Sequence, residues 1–169
     1  LLEHKIDAVW PGWGFLSEDA DFVAMLEQQG IIFIGPSSTA MRQLGDKIAS
    51  KELAAECGVP MAPWSKLAAQ IDSESLHQQA SAIGFPLMLK ASAGGGGRGI
   101  RKVDSIDELD SALSAVQAEV ERSFGQGGVL MERCVTHARH IEVQLVGTPG
   151  KAYALGTRDC SIQRKHQKV

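Results

Sequence analysis

Lys90-Ala-Ser-Ala-Gly-Gly-Gly-Gly-Arg-Gly99 is the stretch that decides the fold. The apolar residues before it, Pro86-Leu-Met-Leu, read as a strand that carries a lysine to its end, and Ile100-Arg-Lys-Val103 reads as a second strand leaving the loop. Four consecutive glycines cost roughly 0.5–1 kcal/mol each to order relative to alanine, so something at this point requires bare backbone. Peptide N–H groups with no Cβ in the way form a concavity that approaches phosphate oxygens closely. The pattern is neither the Walker nor the Rossmann form, because Lys90 precedes the glycines and a strand, not a helix, follows them. A flexible linker or hairpin turn is the alternative; an apolar strand and a basic residue on each side argue against it.

Downstream of the loop, Ser105-x-x-Glu108 spells a capping box, and Ile106, Leu109, Leu113, Val116 and Val120 recur at three and four residues, which predicts a long helix. Strands are expected at 87–92, 99–103, 129–132, 140–146 and 152–156, the fourth alternating Ile141, Val143 and Leu145 against Glu142, Gln144 and Val146. Together they predict a mixed or antiparallel sheet with one helix. Upstream, Ser73 is the expected cap of a helix bearing Leu76, Ala80 and Ile83 and stopped at Gly84. Val59-Pro-Met-Ala-Pro-Trp-Ser65 reads as an extended connector, since each proline bars its predecessor from the helical region. Asp46 is expected to cap a helix closed by Gly58, and Ser37 or Ser38 a shorter one ending at Gly45. Residues 6–10 read as a strand, Ser17 as the cap of a helix carrying Phe22, Met25 and Leu26, and 31–34 as a parallel strand buried on both faces. Strand, helix, strand makes the chain α/β.

The 169 residues are 44% hydrophobic and 22% charged, a composition that excludes disorder. Seventeen Lys and Arg against twenty Asp and Glu give a net charge of −3, leaving no broad positive field for nucleic acid or an anionic membrane. No apolar run approaches the roughly 20 residues that span a bilayer. The first residues, Leu-Leu-Glu-His-Lys-Ile-Asp, lack both Met and the layout of a signal peptide, so the chain reads as cytoplasmic or as cut from something larger. Cys57, Cys134 and Cys160 are odd in number and widely spaced, which suggests reduced, mostly buried thiols and neither a disulfide frame nor a zinc site.

Four further places carry chemistry. Lys47 opens a helix, where the dipole disfavours a cation unless a negative group lies near; taken alone it reads as a surface lysine. Glu132 ends a strand, where its carboxylate could accept from a ribose hydroxyl or an adenine amine, or be a solvated edge residue. Arg158, Arg164, Lys165, His166 and Lys168 form a local basic cluster in an acidic chain, which reads as a pocket for a compact polyanion, with a solvated tail as the alternative. His140 and Glu142 share a strand face and can pair. No Ser/His/Asp grouping and no metal-ligand spacing stands out.

In this order the residues resemble the biotin carboxylase component of biotin-dependent carboxylases, in the ATP-grasp superfamily. The resemblance rests on Trp10-Pro-Gly-Trp-Gly-Phe-Leu-Ser-Glu18, Phe33-Ile-Gly-Pro36, Gly45-Asp-Lys47, the glycine loop, Arg139-His-Ile-Glu-Val-Gln144 and Arg158-Asp-Cys-Ser-Ile-Gln-Arg-Lys-His-Gln-Lys168. Residues 8–14, 44–50, 63–65 and 99–103 look most like the acetyl-CoA carboxylase branch, which is tied to fatty acid biosynthesis.

The implied architecture is part of a Rossmann-like pre-ATP-grasp N-terminal domain (1–45), a helical connector (46–84), the ATP-grasp lid (85–157) and the start of the catalytic ATP-grasp core (158–169). The implied chemistry is ATP-dependent carboxylation of biotin on a carrier domain: bicarbonate is phosphorylated to carboxyphosphate, which yields CO₂ to N1′ of biotin. Carried over position by position, Lys47 and Lys90 would meet ATP phosphates, and Gly96 and Gly97 would close over them. Glu132 and the backbone of Arg133, Cys134 and Val135 would hold adenine, with Cys134 departing from an aromatic residue. His140 would face the ribose and phosphate side, Gln163 and His166 would lie near the phosphates, and Lys168 would meet bicarbonate as the catalytic residue. The Mg²⁺-binding glutamates fall outside this chain, as do the residues that deprotonate bicarbonate and hold biotin, so the 169 residues alone are expected to be inactive. A carboxyltransferase domain or subunit and an oligomeric parent are also implied. The competing readings are another ATP-grasp ligase, such as carbamoyl phosphate synthetase, and a non-catalytic nucleotide-binding module.

Overall fold

A computed structural model describes residues 4–93, 99–124, 127–164 and 167–168. The chain divides into two compact units, Leu1–Leu53 and Ala54–Val169.

In the first unit, β1 (Ala8–Val9) and β2 (Ile32–Phe33) pair in parallel, joined through α1 (Ala20–Gln28), and α2 (Ser38–Gly45) follows. The helix α1 is capped by Asp19, whose carboxylate accepts from the N–H groups of Asp21 and Phe22. Ser17, the expected cap, instead sits in a short 3-10 turn and donates its hydroxyl to the Gly14 carbonyl at 2.5 Å. The inward face of α1 is Val23 and Leu26, while Met25 is exposed. Ser37 caps α2, as the sequence allows, and Ser38 is clamped to α1 by both Glu27 carboxylate oxygens at 3.0 and 2.6 Å. Those two bonds hold the Glu27 carboxyl below the usual carboxylate range. The expected doubly buried strand at 31–34 is only half so: Ile31 is buried, whereas Ile32 and Ile34 are exposed, and among the described residues its sheet is the two-stranded ribbon of β1 and β2. The helix α3 (Lys47–Glu56) crosses the division between the units and closes at Gly58, whose φ of 68° lets the chain turn left-handed.

The second unit is built on an antiparallel sheet in the order β3-β6-β4-β5, formed by β3 (Trp64–Lys66), β4 (Leu87–Ala91), β5 (Ile100–Val103) and β6 (Val129–Arg133). Two helices, α4 (Ser73–Ile83) and α5 (Leu109–Phe124), line one face, where sequence periodicity led us to expect one. The core is Leu76, Ala80 and Ile83 from α4, Leu87, Leu89 and Ala91 from β4, and Leu109, Leu113, Val116 and Val120 from α5, closed by Val103, Val129 and Met131. Alternate residues of β4 enter it, as a half-buried strand dictates.

The connector ends as β3, because the extended backbone its prolines enforce is already that of an edge strand. Asp72, not Ser73, caps α4. Before α5 the expected capping box does not form: Glu108 accepts from the Asp104 N–H at 3.1 Å instead of that of Ser105, and the Ser105 hydroxyl makes no capping bond, because a 3-10 turn at Ile106–Glu108 precedes the helix. Beyond the sheet, β7 (Ile141–Thr148) and β8 (Lys151–Asp159) form a long antiparallel hairpin with a register shift between Gln144 and Leu145, and β9 (Gln163–Arg164) pairs with β10 (Gln167–Lys168). All three cysteines are free, and none is buried: Cys57 is exposed and Cys134 and Cys160 are half-buried, because each follows the end of a helix or strand. Among the described residues, no helix is long and apolar enough to cross a membrane.

Candidate functional site

The face of the second sheet away from its helices is set by strand alternation. Since Leu87, Leu89 and Ala91 enter the core, Met88 and Lys90 point the other way. Register then aligns two rows across four strands on this face, Trp64–Glu132–Met88–Lys102 and Lys66–Leu130–Lys90–Ile100. Apolar residues and charges of both signs therefore share one surface, a lining suited to a flat ring with an anionic tail.

Lys90 and Glu132 stand diagonally on neighbouring strands and form an ion pair through Lys90 Nζ and Glu132 Oε1. Their side chains are only 25% and 14% exposed, so solvent screens the pair less than an ordinary surface contact. At the row's other end Lys102 pairs with Asp104 at 2.5 Å.

Both ends of the glycine loop are tied down. Ser92 N–H donates to the Gly128 carbonyl at 2.8 Å and the Ser92 hydroxyl accepts from Gly128 N–H at 3.1 Å. At the far end, the Gly99 carbonyl accepts from Ala91 N–H at 2.8 Å, and Gly99 N–H donates to Glu119 of α5 at 2.9 Å. Gly99 has φ +65°, and a Cβ there would stand 2.7 Å from the Ala91 Cβ. Gly96 and Gly97 lie outside the described residues.

From Arg133, the last residue of β6, the chain leaves the sheet under three constraints. Arg133 N–H donates to the Pro63 carbonyl at 2.8 Å and Cys134 N–H to the Pro86 carbonyl at 2.9 Å. Those two donors are engaged within the protein, so a nucleobase at residues 132–135 would have to use other atoms of the stretch. The Arg133 guanidinium meanwhile lies over Gly84, which closes α4.

A second polar group surrounds the hairpin base. Glu142 accepts from Arg158 Nε at 2.8 Å and faces His140 Nε2 at 3.9 Å, while His140 Nδ1 meets Gln163 Nε2 at 3.3 Å. The expected pairing of His140 with Glu142 thus exists as one member of a chain of four residues, and Arg158 is committed to Glu142. Alongside it, Arg139 binds Asp159 at 2.7 Å. The carboxyl of Asp159 is held below its usual range by the Ser161 hydroxyl and then by Arg139. His166 lies outside the described residues, and of Lys168 the backbone alone, in β10, is described. Lys47 belongs to the first unit, where Asp46 accepts from Ile48 and Ala49 N–H at 2.9 Å and supplies the negative charge that a cation at a helix start requires.

Sequence reasoning missed three features. Lys66 shares the open face with Lys90, which the alternation of Trp64 and Lys66 would have signalled had 64–66 been read as a strand. Gly84 and Arg133 are 49 positions apart and meet only through the sheet. Ser73, His77 and Asp110 do assemble, with Asp110 accepting from Ser73 at 2.8 Å and lying 2.5 Å from His77 Nε2. Ser73 approaches that same Nε2 at 3.4 Å, so the trio lacks the two-sided imidazole of a nucleophile relay and acts as a clamp between α4 and α5.

Comparison with known proteins shows the family of the chain. Residues 46–169 match the family described as Carbamoyl-phosphate synthase L chain, ATP binding domain, and residues 1–41 match Biotin carboxylase, N-terminal domain. Pyruvate carboxylase 1 of Caenorhabditis elegans is 46% identical over 99% of this chain and 14% of its own length. Biotin carboxylase of Haemophilus influenzae is 43% identical over 96% of this chain and 37% of its own. The solved biotin carboxylase–β-γ-ATP complex of Campylobacter jejuni superposes with a TM-score of 0.91 at 42% identity, covering 99% of this chain and 38% of that one. The biotin carboxylase domain dimer of Hydrogenobacter thermophilus 2-oxoglutarate carboxylase, solved with MgADP, ADP and bicarbonate, gives 0.91 at 42% identity, over 99% and 37%. The chain thus spans well under half the length of these relatives, and it belongs to the carbamoyl-phosphate synthase L chain ATP-binding family, in the form found in biotin carboxylases.

Proposed function

We propose that this chain is the ATP-binding portion of an enzyme that uses ATP and bicarbonate to carboxylate biotin on a carrier domain. The observation that carries the reading is the open sheet face: Lys90 beside Glu132, apolar Met88 and Ile100 beside them, and a glycine loop tied at both ends just beyond. Phosphoryl transfer needs positioned phosphates and neutralised charge, and a lysine with a backbone cover supplies both.

In this reading Lys47, Lys90, Gly96 and Gly97 serve the phosphates. Residues 132–135 serve the base, His140 the ribose, and Gln163 and His166 the phosphate side. Lys168 meets bicarbonate. Mg²⁺ is held by residues outside these 169, and it would neutralise the phosphate oxygens during transfer. The functional division is 1–45 for the end of the N-terminal domain, 46–84 for the connector, 85–157 for the lid and 158–169 for the entry to the catalytic core. The parent is a cytoplasmic oligomer with a biotin carrier and a carboxyltransferase, and the 169 residues alone turn nothing over. The acetyl-CoA carboxylase branch is the narrower proposal, on residues 8–14, 44–50, 63–65 and 99–103; of the relatives above, two are named for pyruvate and 2-oxoglutarate carboxylation.

The test is bicarbonate-dependent ATP hydrolysis by the full-length parent with and without free biotin. Stimulation by biotin is the expected result. Hydrolysis indifferent to biotin would favour a carbamoyl-forming ligase, and ATP binding with no hydrolysis a non-catalytic module.

A further inference from the structure

We propose that Glu132 is a positioning residue for Lys90: its carboxylate holds the ammonium where a nucleotide phosphate meets it, and its effect on binding is exerted through that lysine. The inference rests on the ATP-binding reading above and refines it at one residue: the Glu132 carboxylate serves Lys90, and within 132–135 the base falls to the other atoms of the stretch.

The geometry points this way for three reasons. Lys90 lies in a row whose cross-strand neighbours, Leu130 and Ile100, are apolar and offer its ammonium nothing. Among the eight residues of the two rows, Glu132 is the sole carboxylate, facing three lysines at positions 66, 90 and 102, and Lys102 has its own partner in Asp104. Finally, the two side chains are mostly buried, so the pair fixes a long, rotamer-rich stem that would otherwise sample many positions. An ammonium has three donors. One directed at Glu132 leaves two for phosphate oxygens, so the carboxylate can remain bound while an anion is engaged.

This arrangement makes a prediction with opposite signs in two backgrounds. In the intact protein, Glu132→Gln keeps shape and hydrogen bonding but loses the counter-charge, and ATP binding weakens by roughly three- to tenfold. With Lys90→Met already in place, Glu132 becomes an uncompensated negative charge facing an anionic ligand, and adding Glu132→Gln leaves affinity unchanged or raises it. A carboxylate that reads the adenine amine would lose affinity in both backgrounds.

The experiment is calorimetric titration of the full-length parent and its Glu132→Gln, Lys90→Met and doubly substituted forms with ATP and, separately, with inorganic tripolyphosphate. Melting curves establish that each form is folded, and Lys90→Arg, which keeps the charge, serves as the second background if Lys90→Met does not fold. The inference expects the Glu132→Gln loss to appear with tripolyphosphate as well as ATP, to vanish or reverse beside Lys90→Met, and to persist beside Lys90→Arg. A loss confined to ATP, or one equal in the wild-type and Lys90→Met backgrounds, overturns it while leaving the ATP-binding reading intact. A wild-type parent that binds neither probe overturns both.

Discussion

The guanidinium of Arg133 lies directly over Gly84: a Cβ added to that glycine would stand 2.3 Å from Arg133 Nη1. Gly84 is the residue that closes α4, and Arg133 is the last residue of β6, next to Glu132. The contact therefore links the end of a core helix to the point where the chain leaves the candidate site. It also places a cation at a helix C-terminus, where the dipole favours one.

Gly84 has φ 82° and ψ 164°, a backbone region open essentially to glycine alone. We expect Gly84→Ala to destabilise the chain by about 1–3 kcal/mol, measured by urea unfolding. Arginine can swing aside, so the strain is in the backbone. Adding Arg133→Ala should not restore the loss, and full rescue would show that the contact, not the dihedral, sets the requirement.

At Gly99 the balance differs. Its φ of +65° carries the left-handed penalty, and the atom a Cβ would meet is the Ala91 Cβ, which is fixed to its strand. Gly99→Ala is expected to cost about 2–4 kcal/mol, the sum of backbone strain and overpacking. Gly12, with φ +62° and open space around it, is the control: Gly12→Ala should show the backbone part alone, about 1–2 kcal/mol. Equal losses at the two positions would count against the Ala91 contact.

Leu89 is fully buried in the core that the second unit's sheet forms with α4 and α5. Leu89→Ala should lower stability by about 2–5 kcal/mol in the same measurement. By contrast Leu145→Ala, on the exposed face of the hairpin, should change the stability of these 169 residues by less than about 0.5 kcal/mol.

Asp110 supplies the pH dependence. Hydrogen bonds from His77 and then Ser73 hold its carboxyl below the usual carboxylate range. A depressed folded value means that the contribution is complete above the unfolded value of about 3.9 and is lost as pH falls through the lower folded value. Wild type should therefore melt above Asp110→Asn at pH 6, with the gap closing below about pH 4. A gap that stays constant down to pH 2.5 would rule out ionisation of Asp110 as its source.

Much of this protein is legible in local residues. The strands on either side of the glycine loop, the apolar spacing of 109–120, and the glycines that follow α1, α3 and α4 all act over a few positions, and the structure places elements there. Cap assignment was less secure where acidic and hydroxyl residues are close neighbours. Asp19 and Asp72 won over Ser17 and Ser73 because a carboxylate has two oxygens to offer: Asp19 accepts from two N–H groups, and Asp72 from the N–H and the hydroxyl of Ser75.

What chain order could not supply is everything decided across strands. The type of residue at 90 and 132 was enough to mark both as candidates, since charge next to a glycine loop or at a strand end is a local property. That they form one ion pair depends on β4 lying next to β6 in a particular register, which is set by the packing of Leu87, Leu89, Val129 and Met131 against two helices. The register of β3 on β6 likewise turns Lys66 onto the open face, and that of β4 on β6 sets Arg133 opposite Leu87, three residues from the Gly84 it covers. Residue chemistry is carried by the sequence alone, whereas proximity between residues dozens of positions apart arises when burial of one sheet face fixes what the other must display.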